Sequence, residues 1–86
     1  MTTAIVDIET DSLNATKIHC IVARSYEGNK VKAWVGQECS EFAGWSQQID
    51  TFIMHNGISF DAPVLNRLLG CNIKLSQIRD TLIESQ

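Results

Sequence analysis

The chain has 86 residues, which leaves room for one small domain and no second. A hydrophobic content of 44% excludes a disordered chain, and a formal net charge of -3 excludes the basic footprint of a free-standing nucleic-acid binder. If nucleic acid is the substrate, metal ions or another polypeptide must bring the positive charge.

Taken in chain order, Thr3 to Glu9 (TAIVDIE) is rich in β-branched residues and apolar on both faces, which predicts a central, buried strand. Asp11 and Ser12 break it. Lys17 to Ser25 (KIHCIVARS) and Lys30 to Val35 (KVKAWV) read as two more strands. The short polar loop Glu27-Gly28-Asn29 between them is a hairpin signal. Ser40 to Ile49 (SEFAGWSQQI) reads as a helix, with Phe42, Trp45 and Ile49 at helical spacing and Ser40 as its cap. Thr51 to Met54 (TFIM) is a short apolar strand, and Gly57 breaks the chain after it. A second helix runs from Phe60 to Leu69, with Pro63 in its first turn, a stripe of Val64, Leu65, Leu68 and Leu69, and Gly70 as its stop. Ser76 to Gln86 reads as the start of a further helix, whose stripe of Ile78, Leu82 and Ile83 the chain does not continue.

The order β-β-β-α-β-α predicts an α/β domain on a mixed sheet, with the fourth strand parallel to the first by a right-handed crossover. Cys20, Cys39 and Cys71 are odd in number, widely spaced and form no CxxC, so free thiols are expected; His19 and His55 do not complete a finger-like zinc spacing with them. No signal peptide and no membrane-length apolar run is present, so the expected location is cytoplasmic.

Asp7 and Glu9 stand two apart on the first strand, so their side chains leave the same face. Two carboxylates so placed, with no adjacent Lys or Arg, repel each other. A divalent cation removes the repulsion, and oxygen-only ligands favour Mg²⁺ or Mn²⁺. Alone, such a pair reads as an edge pair pointing into water. The stretch IMHNGISFDAPVL, Ile53 to Leu65, alters that balance. It sets Asn56 and Gly57 in a loop and Asp61 in the first turn of a helix, where the helix dipole favours an acid. Asp61 taken alone reads as a cap. With the fourth strand beside the first, its C-terminal loop brings Asp61 near Asp7 and Glu9, and three converging acids call for metal.

These stretches resemble the proofreading 3′→5′ exonuclease domain of family A DNA polymerases, the group of bacterial polymerase I and the T7-like phage polymerases. DIETDSL resembles the family's first motif, HNGISFD its second, and DTLIES, Asp80 to Ser85, a segment between its second and third motifs. The three occur in the right order and cover nearly the whole chain. The resemblance implies a ribonuclease H-like fold of the DEDD exonuclease type and a two-metal Mg²⁺ or Mn²⁺ site. Asp7 would bridge two metal ions, Glu9 would bind the ion that activates the attacking water, and Asp61 would be a ligand of the second ion. Thr10 would meet the terminal nucleotide through its backbone, and Leu13 would wedge against the terminal base. Asn56 and Phe60 would hold the 3′ end, with Asp80 as a supporting residue. The implied substrate is the 3′ end of single-stranded DNA, in the host cytoplasm if the chain is phage-encoded. The chemistry agrees: two ions about 4 Å apart serve the attacking and leaving oxygens of an in-line displacement. Apolar stacking by Leu13 and Phe60 suits an enzyme that removes any base.

The family's third motif, a Tyr or His followed by a fourth Asp on one helix, lies beyond Gln86, and Tyr26 at the hairpin does not match it. Residues 1–86 are therefore expected to form a partial exonuclease domain, inactive or nearly so alone and completed by a partner polypeptide. The alternative is a non-catalytic remnant that binds DNA ends or a replication partner. Completion by dimerisation has no support in the sequence. Trp34 and Trp45 read as core or partner-facing aromatics, His55 as a loop-orienting residue and His19 as solvent-facing. Arg67, Arg79 and the lysines at 17, 30, 32 and 74 are scattered and trace no phosphate track.

Overall fold

Five strands form one mixed sheet in the computed structural model, which describes residues 2–11, 16–26, 28, 30–55 and 57–81. Strand β1 (Thr3–Thr10) pairs antiparallel with β2 (Ile18–Ser25), and β2 antiparallel with β3 (Val31–Val35). A 3-10 turn, Gly36–Glu41, and a short helix α1 (Phe42–Ser46) carry the chain to β4 (Thr51–Met54), which lies parallel to β1. A π-helical turn, Gly57–Asp61, leads into helix α2 (Ala62–Leu69). After a 3-10 turn at Leu75–Gln77 the chain forms β5 (Ile78–Asp80), parallel to β4. The strand order β3-β2-β1-β4-β5 puts β1 at the centre, and the fold is a small α/β mixed sheet of the ribonuclease H-like kind.

One face of the sheet carries the core. Ala4, Val6 and Ile8 of β1, Ile21 and Ala23 of β2, Trp34 of β3, and Phe52 and Met54 of β4 are buried together with Phe42 of α1 and Val64 and Leu65 of α2. Trp34 anchors an aromatic cluster, edge-on to Phe42 at 5.0 Å between ring centroids and tilted against Trp45 at 5.1 Å. Helix α2 ends as its sequence requires: Gly70 takes a left-handed φ of 69°, and its N–H donates to the carbonyl of Asn66 at 3.1 Å. The three cysteines are free thiols. Among the described residues no helix is long and apolar enough to cross a membrane.

Three expectations need correction. Strand β1 is central but not buried on both faces: Ile5, Asp7 and Glu9 are exposed while their neighbours are buried. Apolar residues on both sides of a strand identify a buried strand only when layers cover both sides, and the described residues supply one. The segment Ser40 to Ile49 is not one capped helix. Ser40 lies inside the 3-10 turn, its hydroxyl donates to the carbonyl of Gln37 at 3.0 Å, and the α-helical turns shrink to Phe42–Ser46. Phe42 and Ile49 are buried as expected, so the apolar spacing was met by a tighter, mixed helical path. The helix expected from Ser76 is instead strand β5. Its residues satisfy the open edge of β4, pairing Phe52 with Ile78, Ile53 with Arg79 and Met54 with Asp80, and that long-range pairing overrides a helical stripe three residues long. Leu82 and Ile83 lie outside the described residues.

Candidate functional site

Strands β1, β4 and β5 run parallel and side by side, so their carboxyl ends share one edge of the sheet. In open α/β sheets this edge is where ligands bind. Asp7 comes near the end of β1, Asp61 from the turn that follows β4, and Asp80 is the last residue of β5. The sequence spreads these acids over most of the chain; the parallel pairing gathers them.

Their environments differ. Asp7 is exposed, in register with Val22 of β2, and faces the uncovered side of the sheet. Asp61 and Asp80 are buried, 6% and 4% exposed. The Asp80 carboxylate accepts the N–H of Ile58 at 3.0 Å and so ties the end of β5 to the π-helical turn that carries Asp61. His55 and Thr81, the residues that follow β4 and β5, share a second link at the same edge, Nδ1 to Oγ1 at 3.1 Å. Asp61 occupies the cap position of α2 but makes no side-chain capping bond. The carboxyl is pushed up to about 7, first by burial and then by the negative charges of Asp7 and Asp80. The favourable end of the α2 dipole is outweighed by desolvation and two like charges. An acid that neither caps its helix nor keeps an ordinary acidity is poorly explained as a helix-start residue.

Glu9 shares Asp7's face, two residues further along, just before the register shift between Glu9 and Thr10. It is exposed and is not among the charges acting on Asp61. Thr10 is half-buried at the end of β1. Phe60 is half-buried and packs against the core cluster. Leu13 and Asn56 lie outside the described residues. Among the described residues no three His, Cys, Asp or Glu side chains close tightly enough to hold a metal ion. The donor set that does gather is all oxygen and rich in negative charge, which suits a hard divalent cation.

Asp80 is the residue that sequence reasoning served least well. As a helix position it had no reason to be buried; as the last residue of β5 it turns inward and accepts a backbone N–H. Ile78, Arg79 and Asp80 are half-buried, exposed and buried in turn, an alternation that only the pairing with β4 sets.

No family model and no curated protein matches the chain. Among solved structures, it is similar to the family B DNA polymerase from the hyperthermophilic archaeon Pyrobaculum calidifontis, with a TM-score of 0.63. The likeness is one of fold. Identity is 12%, and the match covers 81% of this chain but only 11% of the polymerase chain. The link to DNA polymerases is thus structural and distant, and it runs to family B, whereas the sequence motifs resemble family A.

Proposed function

We propose that this chain carries the front part of a metal-dependent 3′→5′ DNA exonuclease of the proofreading type, acting on single-stranded 3′ ends and completed by further polypeptide that supplies the third motif. One observation carries this reading: Asp7, Asp61 and Asp80 lie at the carboxyl ends of three adjacent parallel strands, where burial first, and then the charges of Asp7 and Asp80, push Asp61 up to about 7. Such crowding is costly in an apo protein and useful around a cation. The similarity in fold to a DNA polymerase and the order of the three sequence motifs point the same way.

In this reading Asp7, Glu9 and Asp61 would hold Mg²⁺ or Mn²⁺. When bound, the ions would supply an activated water and charge stabilisation at the leaving oxygen. The chain's own residues provide the frame. Asp7 is held on a strand paired on both sides. Asp80 fixes the turn that presents Asp61 through its bond to Ile58. Phe60, at the start of the same helical segment, offers a ring that can meet any base. The uncovered sheet face, with Ile5, Val22, Val31 and Val35 exposed, is where the completing polypeptide would pack.

The test is an assay on 3′ ends of single-stranded DNA with Mg²⁺ or Mn²⁺, with this chain alone and then with a polypeptide carrying a Tyr-x-x-x-Asp helix. The chain alone should be nearly inactive, because misplacing a reacting group by about 1 Å can cost roughly 100-fold. The pair should degrade DNA from the 3′ end, and Asp7→Ala should abolish this. No gain on adding the complement would turn the reading to a non-catalytic binder of DNA ends.

A further inference from the structure

The lysines that look scattered in the sequence do not stay scattered in the fold. At the far end of β1 from the acids, Thr2, Ser25, Lys30, Lys32, Trp45 and Gln48 line an open cavity of about 520 Å³. It lies on the core side of the sheet, where α1 ends and leaves the edge strand β3 partly uncovered. Lys32 pairs with the buried Ala23, so its stem follows that face, and its ammonium stands 5.5 Å from the ring centroid of Trp34. Trp45 is half-buried, held by Trp34 and Phe42 on its inner side and open to the cavity on the other. Asp50, which follows the lining residue Ile49, accepts the N–H of Thr2 at 2.8 Å.

We propose that this cavity binds one nucleotide unit of a single-stranded nucleic acid, its phosphate against Lys30 and Lys32 and its base against the Trp45 indole. The volume is that of a small-ligand site, typically about 300–1,000 Å³. Two lysines beside an indole match the pairing of charge and stacking that sequence-tolerant single-strand binding uses. Thr2, Ser25 and Gln48 add neutral polar groups around it. The acids bunched at the opposite end of β1 repel a polyanion in the absence of metal, so this end, where the chain supplies its own local positive charge despite a net charge of -3, corrects the expectation that all such charge must come from elsewhere. The inference stands apart from the metal reading, since none of its residues belongs to the acid cluster.

The experiment measures binding of a fluorescently labelled oligothymidylate to the whole chain, at low salt and in EDTA. Binding should weaken at least about tenfold in Trp45→Ala, as expected for loss of one stacked base. It should weaken comparably in Lys30→Glu/Lys32→Glu, whose exposed positions leave folding intact. Lys74→Glu, at an exposed lysine outside the cavity, should bind as well as the parent chain. For the one phosphate engaged, log affinity should fall against log salt with a slope of about -0.7. Unlabelled thymidine monophosphate competing as well as the oligomer would identify a free nucleotide as the ligand of the same site. Inorganic phosphate competing equally well, or unchanged binding by the double lysine variant, would overturn the proposal.

Discussion

At Asp61 the energetic question is which protonation state the fold prefers. Folding raises its pKa from 3.8 to about 7, so between those values the folded chain keeps a proton that the unfolded chain has lost. The folded state then binds more protons, and stability falls as pH rises through that window. Asp61→Asn should flatten this dependence and raise stability near neutral pH by on the order of 1–2 kcal/mol. Thermal unfolding of both chains at acid and neutral pH checks it; parallel pH slopes would mean that Asp61 is not held among like charges. Gly57 makes a different kind of demand. A Cβ there would stand 2.5 Å from Met54 Cβ and 3.0 Å from its sulfur, and both residues are buried. Gly57→Ala should cost about 1–3 kcal/mol as overpacking and displace the turn that carries Asp61. A urea midpoint unchanged by this substitution would show that the turn yields freely.

Helix α2 is more than a cover for the core, because it also launches β5. Its Asn66 side chain brackets the backbone of Ile73, donating to the carbonyl at 2.9 Å and accepting the N–H at 2.7 Å. Gln77 adds a stitch from the next turn, accepting the N–H of Lys74 at 3.0 Å and donating to the carbonyl of Ile49 at 3.3 Å. Together these hold the chain against β4 where a helix was expected. Asn66→Ala removes both bonds to a buried residue and should cost about 2 kcal/mol. The amides of Ile78 to Asp80 should then exchange with solvent faster relative to those of β1. Equal loss of protection across the sheet would mean that β5 opens only with the whole domain.

Across the whole molecule the sheet is one-sided among the described residues. That asymmetry makes opposite demands on its two faces. On the open face Val22 is 37% exposed, so Val22→Lys should change stability by no more than about 0.5 kcal/mol, within the range of ordinary surface substitutions. On the core face Val6 has no such freedom at 2% exposure. If a completing polypeptide packs on the open face, Val22→Lys should abolish that association while leaving the isolated chain folded. Native gels or analytical ultracentrifugation of the pair would read this out; undiminished association would place the partner elsewhere. Amides of Ile5 to Ile8, paired on a central strand, should be among the last to exchange. Mn²⁺ should broaden NMR signals around Asp7 and Asp61 first, and Asp7→Ala should remove the broadening.

The sequence alone determined what depends on near neighbours. β-Branched runs marked β1 to β4, since their preference for extended backbone is local. Gly70 marked the end of α2, because only a residue without a Cβ takes left-handed φ at little cost. The motifs singled out Asp7 and Asp61 by pattern, and the expected neighbouring of the first and fourth strands is present in the fold. Tertiary structure decided what depends on distant partners. The short run Ile78–Asp80 had no strong preference of its own, and the unpaired edge of β4 made it a strand. One covered face left Ile5 and Val22 exposed despite their apolar side chains. The raised pKa of Asp61 arises from burial and from charges far along the chain, and Lys30, Lys32 and Trp45 meet at one cavity only in the folded chain. None of these has a local signature, because each is an interaction between residues that share no stretch of chain.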